Sequence, residues 1–153
     1  MMITFETPDQ PDVHALIGEL DAYLYALYPA DSVYALDIRA LLQPNIRFAV
    51  ARDFDGNALG CAAVVLTPAY GEIKRMYVRP AARGAGTARQ LIKLLEQAAV
   101  SAGCPELLLE AGPEQPEALA FYARSGFERC GPYGDYPDDP HSVFMRKPLG
   151  KSA

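Results

Sequence analysis

The first part of the chain changes from a strand-like alternation to two helical patterns. Residues 2–6 alternate apolar and polar side chains, which predicts a strand. Apolar residues then recur at helical spacing over residues 13–27, with Asp12 as the candidate N-cap and Tyr28-Pro29 as the end of the helix. Residues 36–42 have the pattern of a second, shorter helix, which ends before the next proline.

The middle of the chain is predicted to form a meander of three strands. Ile46–Arg52 and Ala58–Thr67 are largely apolar, and the Asp55-Gly56 dipeptide between them is a strong hairpin signal. The second of these strands is apolar nearly throughout, so we expect it to be covered on both faces of the sheet. Glu72–Val78 mixes apolar and charged residues in the manner of a strand and follows a turn at Tyr70-Gly71.

The last part of the chain alternates helices with short strands. A long apolar stripe with helical spacing follows Gly86 and ends at Gly103, which is a suitable residue after a helix. The remaining elements are a strand over Leu107–Glu110, a helix over Glu117–Ser125, and strands over Phe127–Cys130 and Val143–Arg146. The predicted order is β-α-α-β-β-β-α-β-α-β-β, which indicates an α/β fold with a mixed sheet and helices on both faces.

The composition is that of one acidic globular domain. The chain has 153 residues, of which 50% are hydrophobic and 22% charged, so residues 1–153 are predicted to form a single domain. The formal net charge of −5 makes nucleic acid an unfavourable partner, because phosphate binding requires a basic surface. No uninterrupted apolar run reaches about 18 residues, so no membrane span is expected. Residues 1–10 lack the basic start and apolar run of a secretory signal, so we expect a cytoplasmic protein.

Cysteine and histidine are too few and too scattered for a disulfide framework or a metal site. The cysteines are Cys61, Cys104 and Cys130, an odd number that predicts free thiols. The histidines are His14 and His141, and no metal-ligand spacing connects them with the cysteines. No metal cofactor is therefore expected.

The segment from Arg79 to Ala88 has the composition of an anion-binding loop. It follows a predicted strand, contains Gly84 and Gly86, and leads into the long helix, whose first backbone amides lack internal acceptors. Small residues let a ligand approach the backbone closely, so an anion can bind these N–H groups. The loop has neither the Gly-Lys-Ser/Thr of NTPases nor the three spaced glycines of the dinucleotide-binding fold. By itself, a glycine pair of this kind is equally compatible with an ordinary turn into a helix.

Three segments together resemble the GCN5-related N-acetyltransferase (GNAT) superfamily. Arg83, Gly86 and Ala88 occupy the places of its pyrophosphate-binding motif, Gln/Arg-x-x-Gly-x-Gly/Ala. Residues 73–80 resemble the central strand of the family, and residues 120–127 resemble its late helix, where a tyrosine precedes a Gly-Phe pair by four residues. The three matches occur in the order and separation of the family. The resemblance therefore predicts a GNAT-like fold with a mostly antiparallel sheet that is splayed at its middle.

The resemblance also implies that acetyl-CoA binds across the splayed sheet as co-substrate. Its pantetheine arm is expected to pair with the backbone of the central strand, and its pyrophosphate is expected on the amides of residues 84–89. An asparagine of the family, which contacts the cofactor or a water, is replaced here by Gln115, whose amide is on a longer arm. The cofactor-binding residues implied in this way are Met76, Tyr77, Val78, Arg83, Gly84, Ala85, Gly86, Thr87, Ala88, Arg89, Gln115 and Tyr122.

Three residues are candidates for the chemistry, which requires a base for the ammonium proton and an acid near the leaving sulfur. Tyr122 is the candidate acid, because it has the position of the family's tyrosine near the coenzyme A sulfur. Glu110 and Glu72 are the candidate bases, because each lies at the end of a strand that should face the splayed region. We favour Glu110 slightly, and a water chain without a dedicated base stays open.

The acceptor is the partner that the sequence determines least. The segment between the first two helices and the loop over residues 131–142 are rich in Tyr and Asp, which suits a small cationic or zwitterionic amine. Tyr28, Asp31 and Tyr34 are the candidate acceptor-binding residues. The predicted protein is a small-molecule N-acetyltransferase. An inactive acyl-CoA-binding module, a protein N-terminal or lysine acetyltransferase and a different nucleotide-binding protein are the alternatives. Relatives often pair their last strands between subunits, so a homodimer is also an expectation.

Overall fold

The computed structural model describes residues 1–150, which form seven strands and four α-helices. The strands are β1 (Met2–Phe5), β2 (Ile46–Arg52), β3 (Ala58–Leu66), β4 (Gly71–Val78), β5 (Glu106–Ala111), β6 (Glu128–Cys130) and β7 (Val143–Pro148). The helices are α1 (Pro11–Leu27), α2 (Ile38–Leu41), α3 (Thr87–Ser101) and α4 (Pro116–Arg124). This order confirms the sequence prediction. None of the helices within residues 1–150 is long and apolar enough to cross a membrane.

The strands form one sheet in the order β1-β2-β3-β4-β5-β7-β6. β4 and β5 are parallel, and the other neighbouring pairs of described strands are antiparallel. The predicted mixed, mostly antiparallel sheet is therefore confirmed. The parallel pair is short: it joins Gly71–Ile73 to Leu107–Leu109, and β4 then continues to Val78 without pairing to β5. The sheet is thus splayed at its middle, beyond Ile73 and Leu109.

Helices cover both faces of the sheet, and each face has its own apolar core. On one face, Leu16 and Leu20 of α1 belong to the same buried cluster as Phe48 and Val50 of β2. The opposite face carries α3 and α4. Its cluster includes Ala49, Ala51, Ala62, Val64, Leu91, Leu95, Tyr122 and Phe127. Neighbouring residues of β2 and β3 belong to different clusters because successive side chains of a strand point to opposite faces. The expectation that the second strand of the hairpin is covered on both faces is confirmed.

The first helix begins before the predicted N-cap. Pro11 occupies its first turn, Gln10 is the N-cap without a side-chain bond, and Asp12 lies inside the helix. The Asp12 carboxylate accepts a hydrogen bond from Arg52 Nη1 at 2.5 Å, and this ion pair holds the pKa of Asp12 below its usual value. The prediction of Asp12 as the N-cap is therefore wrong. The fixed φ of proline suits the first helical position, so the helix begins there, and the carboxylate pairs with a cation on β2.

The second helix is shorter than predicted. It spans Ile38–Leu41, because Asp37 is its N-cap and Asp37 Oδ1 accepts a hydrogen bond from the Ala40 N–H at 2.8 Å. A capping carboxylate fixes the first residue of a helix, so Leu36 lies outside it. The segment between α1 and α2 is therefore long enough to reach over the splayed part of the sheet.

Candidate active site

A cavity of about 520 Å³ occupies the splay between β4 and β5. Ile73–Val78 of β4 and Leu109–Ala111 of β5 line it, together with residues of α1, α4 and the segment after α1. Beyond Ile73, β4 is paired with β3 on one side and has no strand on the other. A ligand in the splay can therefore hydrogen-bond the free edge of β4 as an added strand would. The predicted cofactor residues that line the cavity are Met76, Tyr77, Val78, Arg83, Ala88, Gln115 and Tyr122.

β4 contains a bulge where the splay opens. Cys61 faces Tyr77 across the β3–β4 ladder and Ala63 faces Lys74, so two residues of β4 lie opposite one residue of β3. Arg75, in the bulge, has a φ of 57°, in the left-handed region that residues with a side chain rarely adopt. Bulges of this kind change the direction of the peptide groups that follow them. The free edge of β4 at the cavity is therefore not a regular continuation of the strand.

The loop after β4 has the free N–H groups that an anion requires. Gly84 and Gly86 have φ values of 84° and 79°, and Gly86 is the N-cap of α3. Within residues 1–150, the N–H groups of residues 84–89 have no protein acceptor. Gly84, Ala85 and Gly86 are exposed, so the donors are accessible, and the positive end of the helix dipole adds to them. The loop has the geometry of an anion site.

The side chains of this loop differ in their relation to the cavity. Arg83 lines the cavity, and its Nε donates to the Val78 carbonyl oxygen at 3.0 Å, which ties the end of β4 to the loop. The Thr87 hydroxyl lies 3.2 Å from Met1 Sδ and borders a second hollow. Arg89 is exposed on the first turn of α3. Thr87 can therefore contribute to an anion site through its backbone, whereas Arg83, whose N–H donates to the Pro80 carbonyl oxygen, can contribute through its side chain.

Tyr122 on α4 reaches the cavity from the face of the sheet that carries α3. Its ring is buried and meets the ring of Phe127 edge-on, with the two centroids 5.8 Å apart. Within the described residues, no protein group hydrogen-bonds its hydroxyl, and burial raises the pKa of Tyr122. The hydroxyl is thus protonated at neutral pH and free to donate to a ligand in the cavity.

Glu110 is the carboxylate of β5 that lines the cavity. Its Oε2 accepts a hydrogen bond from Ser142 Oγ at 2.8 Å. Burial raises the pKa of Glu110, and the Ser142 hydrogen bond and the positive charge of Lys74 partly oppose this rise. A carboxylate with a raised pKa binds a proton more readily, which is the property required of a base near neutral pH.

Glu72 does not reach the cavity. It faces Leu108 in the closed part of the β4–β5 ladder, before the splay opens. Its Oε2 accepts hydrogen bonds from the hydroxyls of Tyr133 and Tyr136 at 2.7 and 2.6 Å and lies 3.8 Å from Lys74 Nζ. The expectation that Glu72 faces the splayed region is therefore wrong, because β5 closes the sheet at this position. Its carboxylate instead anchors the loop between β6 and β7.

The buried Tyr28 and the half-buried Gln115 form a pair in the cavity wall. The Tyr28 hydroxyl donates to Gln115 Oε1 at 3.2 Å and accepts from the Glu114 N–H at 3.1 Å. Gln115 Oε1 also accepts from the Gly112 N–H at 3.2 Å. Because two protein donors occupy the amide oxygen, the NH₂ group of Gln115 is left for a ligand. Tyr28, 7% exposed, is part of the wall and holds Gln115 in place.

Tyr34 lines the cavity, whereas Asp31 does not. The Tyr34 hydroxyl donates to Asp139 Oδ2 at 2.6 Å, and this hydrogen bond raises the pKa of Tyr34 to about 12. Ser32 Oγ donates to the same oxygen at 2.7 Å, so the segment after α1 is joined to the loop between β6 and β7. Asp31 lies exposed in a 3-10 turn. The expectation that Asp31 contacts the acceptor disagrees with this position, because the turn directs it to solvent.

The structure brings further polar residues to the cavity that the sequence analysis did not select. Lys74, Arg75 and His141 line the cavity, and Ser142 contacts Glu110 at its wall. Lys74 Nζ donates to the Tyr34 carbonyl oxygen at 2.6 Å and to the Tyr136 hydroxyl, and burial lowers the pKa of Lys74. The sequence did contain a signal for Lys74 and Arg75, because two consecutive cations are unusual in a largely buried strand. Nothing in the sequence marks Ser142, because its role depends on the pairing of β7 with β5.

The free groups around the cavity fit the expected co-substrate, acetyl-CoA. Residues 84–89 offer donors for an anionic diphosphate, and the free edge of β4 offers backbone partners for an amide-containing arm. Arg83 adds a positive charge between these two regions. Within residues 1–150, no group of three His, Cys, Asp or Glu side chains is arranged to hold a metal ion.

Comparisons with known proteins agree with this fold. The Acetyltransferase (GNAT) family matches residues 13–127. An IAA acetyltransferase from Azospirillum brasilense is 47% identical over 149 residues, which cover 96% of this chain and 97% of that protein. A Klebsiella pneumoniae protein assigned as an acyl-CoA N-acyltransferase has a TM-score of 0.83 and 35% identity, with 97% of each chain covered.

A more distant structure shares the fold alone. The PaiA N-acetyltransferase of Thermoplasma acidophilum, solved in complex with coenzyme A, has a TM-score of 0.70 at 16% identity and covers 97% of this chain and 100% of its own. The family match includes the splayed strands and the loop between β4 and α3. The relatives with higher identity extend over nearly the whole chain. This chain is therefore an acetyltransferase of the GNAT family.

Proposed function

We propose that this chain is a single-domain N-acetyltransferase that passes the acetyl group of acetyl-CoA directly to the amine of a small molecule. The observation that carries the proposal is the cavity between β4 and β5. Glu110 and Tyr122 both line it, and the anion-binding loop lies at the start of α3. A base, an acid and a cofactor cradle therefore converge on one site.

The loop and the edge of β4 would hold the co-substrate, which supplies a thioester-activated acetyl group. The N–H groups of residues 84–89 would bind its diphosphate, since they have no other acceptor within the described chain. The backbone of residues 76–78 and the free NH₂ of Gln115 would bind its arm. These contacts involve mostly backbone, so they depend on the bulge and the glycines more than on side-chain identity.

Glu110 would act as the base. An amine is mainly an ammonium ion at neutral pH and must lose a proton before it attacks a carbonyl carbon. The raised pKa of Glu110 favours uptake of that proton, and Ser142 holds the carboxylate in place. Tyr122 would donate its hydroxyl proton to the sulfur as the carbon–sulfur bond breaks. The amine nitrogen thus gains the acetyl group and releases its second proton, which restores the Tyr122 hydroxyl directly or through water, and the sulfur leaves as a thiol.

Direct transfer is supported by the position of the thiols. No cysteine is among the residues that line the cavity, and Cys61 and Cys104 are buried. Burial raises the pKa of Cys61 to about 12, so its thiolate form is rare at neutral pH. The described cavity therefore contains no cysteine that could be acylated as an intermediate. The acceptor would have to meet the acetyl group in a ternary complex.

A small acceptor is supported by the cavity and by one relative. The acceptor half is bounded by α1, by the segment after it and by His141, and its lining is rich in apolar and aromatic residues. A similar protein is named as an IAA acetyltransferase, a name that refers to a small acceptor. A lysine or N-terminus of a protein would need a wider opening to reach Glu110. The hydrogen bond between Tyr34 and Asp139 holds the segment after α1 across that route.

Thiol release from acetyl-CoA with a panel of small amines, peptides and lysine-containing proteins tests the proposal. We expect turnover with at least one small amine, and a loss of about 10²–10⁴-fold in kcat for Glu110→Gln. Glu106→Gln is the matched control, because Glu106 lies on the same strand and pairs with Arg146 at the surface. Acetyl-CoA binding without thiol release would instead indicate an inactive module. Turnover on peptides alone would indicate a protein acetyltransferase.

A further inference from the structure

Arg75 is a buried cation whose hydrogen-bonding capacity is mostly unused. Its side chain is 3% exposed, and Nη2 donates to Asp21 Oδ1 on α1 at 2.8 Å. Nε and Nη1 are buried and have no hydrogen-bond partner. Arg75 is also one of the residues that line the cavity. Three of the five N–H groups of this guanidinium, on a residue that lines the cavity, are therefore without an acceptor.

Such an arrangement is unfavourable unless a ligand completes it. Buried N–H groups are almost always hydrogen-bonded, and an unsatisfied donor on a charged group is especially costly. Asp21 does not compensate fully, because it contacts one nitrogen and its own side chain is 36% exposed. A carboxylate is the partner that best fits guanidinium, since its two oxygens match the spacing of the N–H groups.

The neighbouring residue extends the same cationic surface. Lys74 also lines the cavity, and its Nζ has two protein acceptors, which leaves one of its three N–H groups for a further acceptor. Ile73 and Leu109 are the last paired residues of β4 and β5. Lys74 and Glu110 therefore each lie one position beyond that pair, on facing strands that are about 5 Å apart where they are paired.

We propose that the acceptor carries a carboxylate a few bonds from its amine, and that Arg75 together with Lys74 receives the carboxylate while Glu110 faces the amine. This inference rests on the proposed function, because it assumes that Glu110 faces the amine to be acetylated. Amino acids and related amino carboxylates have this combination of groups. A polyamine would place a second cation against Lys74 and Arg75 and would leave the guanidinium unsatisfied.

Matched acceptors test the inference in the wild-type enzyme. For each amino acid accepted, kcat/KM is compared with that of its amide and of the amine that lacks the carboxyl group. We expect the carboxylate form to be preferred by about tenfold or more, as for a charged hydrogen bond. The amide is a stringent comparison, because its amino group has the lower pKa and is more readily deprotonated. Equal rates for the three forms would overturn the inference and leave the acetyltransferase function intact.

Two variants connect the preference with Arg75. Arg75→Gln should abolish the preference for the carboxylate form through a higher KM, with little change in KM for the amide. Arg79→Gln is the matched control, because Arg79 follows the same strand and pairs with Glu19 of α1 at 3.0 Å, but does not line the cavity. A preference that survives in folded Arg75→Gln would overturn the assignment. If Arg75→Gln does not fold, the comparison of matched acceptors in the wild type decides whether the carboxylate subsite exists. Asp21→Asn, which keeps Arg75, should then retain the preference for the carboxylate form.

The failure of the inference can be distinguished from the failure of the proposed function. If no amine of any class releases thiol while calorimetry detects acetyl-CoA binding, both the proposed function and the carboxylate subsite are wrong. If amines without a carboxyl group are the best acceptors, only the subsite is wrong. The two outcomes come from the same assay.

Discussion

Gly112 lies where any side chain would displace Tyr28 from the cavity wall. A Cβ at position 112 would be 1.8 Å from the Tyr28 hydroxyl oxygen and 2.0 Å from its Cζ, so Gly112→Ala and the observed Tyr28 position are incompatible. Removing a buried aromatic side chain costs about 3–5 kcal/mol, and the displaced Tyr28 would also lose its hydrogen bonds to Gln115 and Glu114. We therefore expect Gly112→Ala to lower the free energy of unfolding by about 3–5 kcal/mol.

Urea and thermal unfolding of four proteins measure this effect: wild type, Gly112→Ala, Tyr28→Ala and the double variant. The melting temperature of Gly112→Ala should fall by about 6–20 °C, given about 2–4 °C per kcal/mol for a chain of this size. In the Tyr28→Ala background, the same change should cost almost nothing, because the clash is gone. Gly131→Ala is the control, since its Cβ would meet nothing within 4 Å. Equal costs in both backgrounds, or a cost below about 1 kcal/mol in the wild type, would refute the reasoning.

Three further predictions concern the loop, the base and the acid. Gly86→Glu should abolish acetyl-CoA binding in calorimetry, because a carboxylate would stand at the anion-binding loop. Gly56→Glu, which is at a similar positive φ in the β2–β3 hairpin, is the control and should bind acetyl-CoA normally. An equal loss of binding in both variants would indicate backbone strain rather than charge repulsion. Ser142→Ala should move the acidic limb of kcat/KM to higher pH, because it removes a hydrogen bond that lowers the Glu110 pKa; a limb that moves to lower pH would contradict this role. Tyr122→Phe should lower kcat by about a hundredfold with little change in the Kd for acetyl-CoA, and an unchanged kcat would remove Tyr122 from the mechanism.

Local sequence signals were sufficient for the elements and for the anion-binding loop. The apolar spacing of α1 and α3 and the Asp-Gly turn between β2 and β3 depend on residues close together in the chain. The loop at residues 84–89 is equally local, because its free N–H groups follow from a helix start. The helix starts that were wrong, predicted from Asp12 as a cap and from Leu36, depend on the hydrogen bonds of Asp12 with Arg52 and of Asp37 with the Ala40 N–H.

The positions of the two carboxylates relative to the cavity needed the tertiary structure. Glu72 and Glu110 both lie near the ends of strands, and the sequence contains no information about the register between β4 and β5. That register closes the sheet at Glu72 and opens it at Glu110. Strand pairing joins residues far apart in the chain, so no local pattern determines which of two such side chains is covered.

The sequence by itself determined the order of elements, the glycine-bearing loop and the resemblance to the GNAT family, because each depends on neighbouring residues. The tertiary structure decided which side chains share the cavity. The contact of Tyr28 with Gly112 and the hydrogen bond from Ser142 to Glu110 form between segments that are distant in sequence. Such contacts follow from the packing of helices on a splayed sheet, and packing is a property of the whole chain.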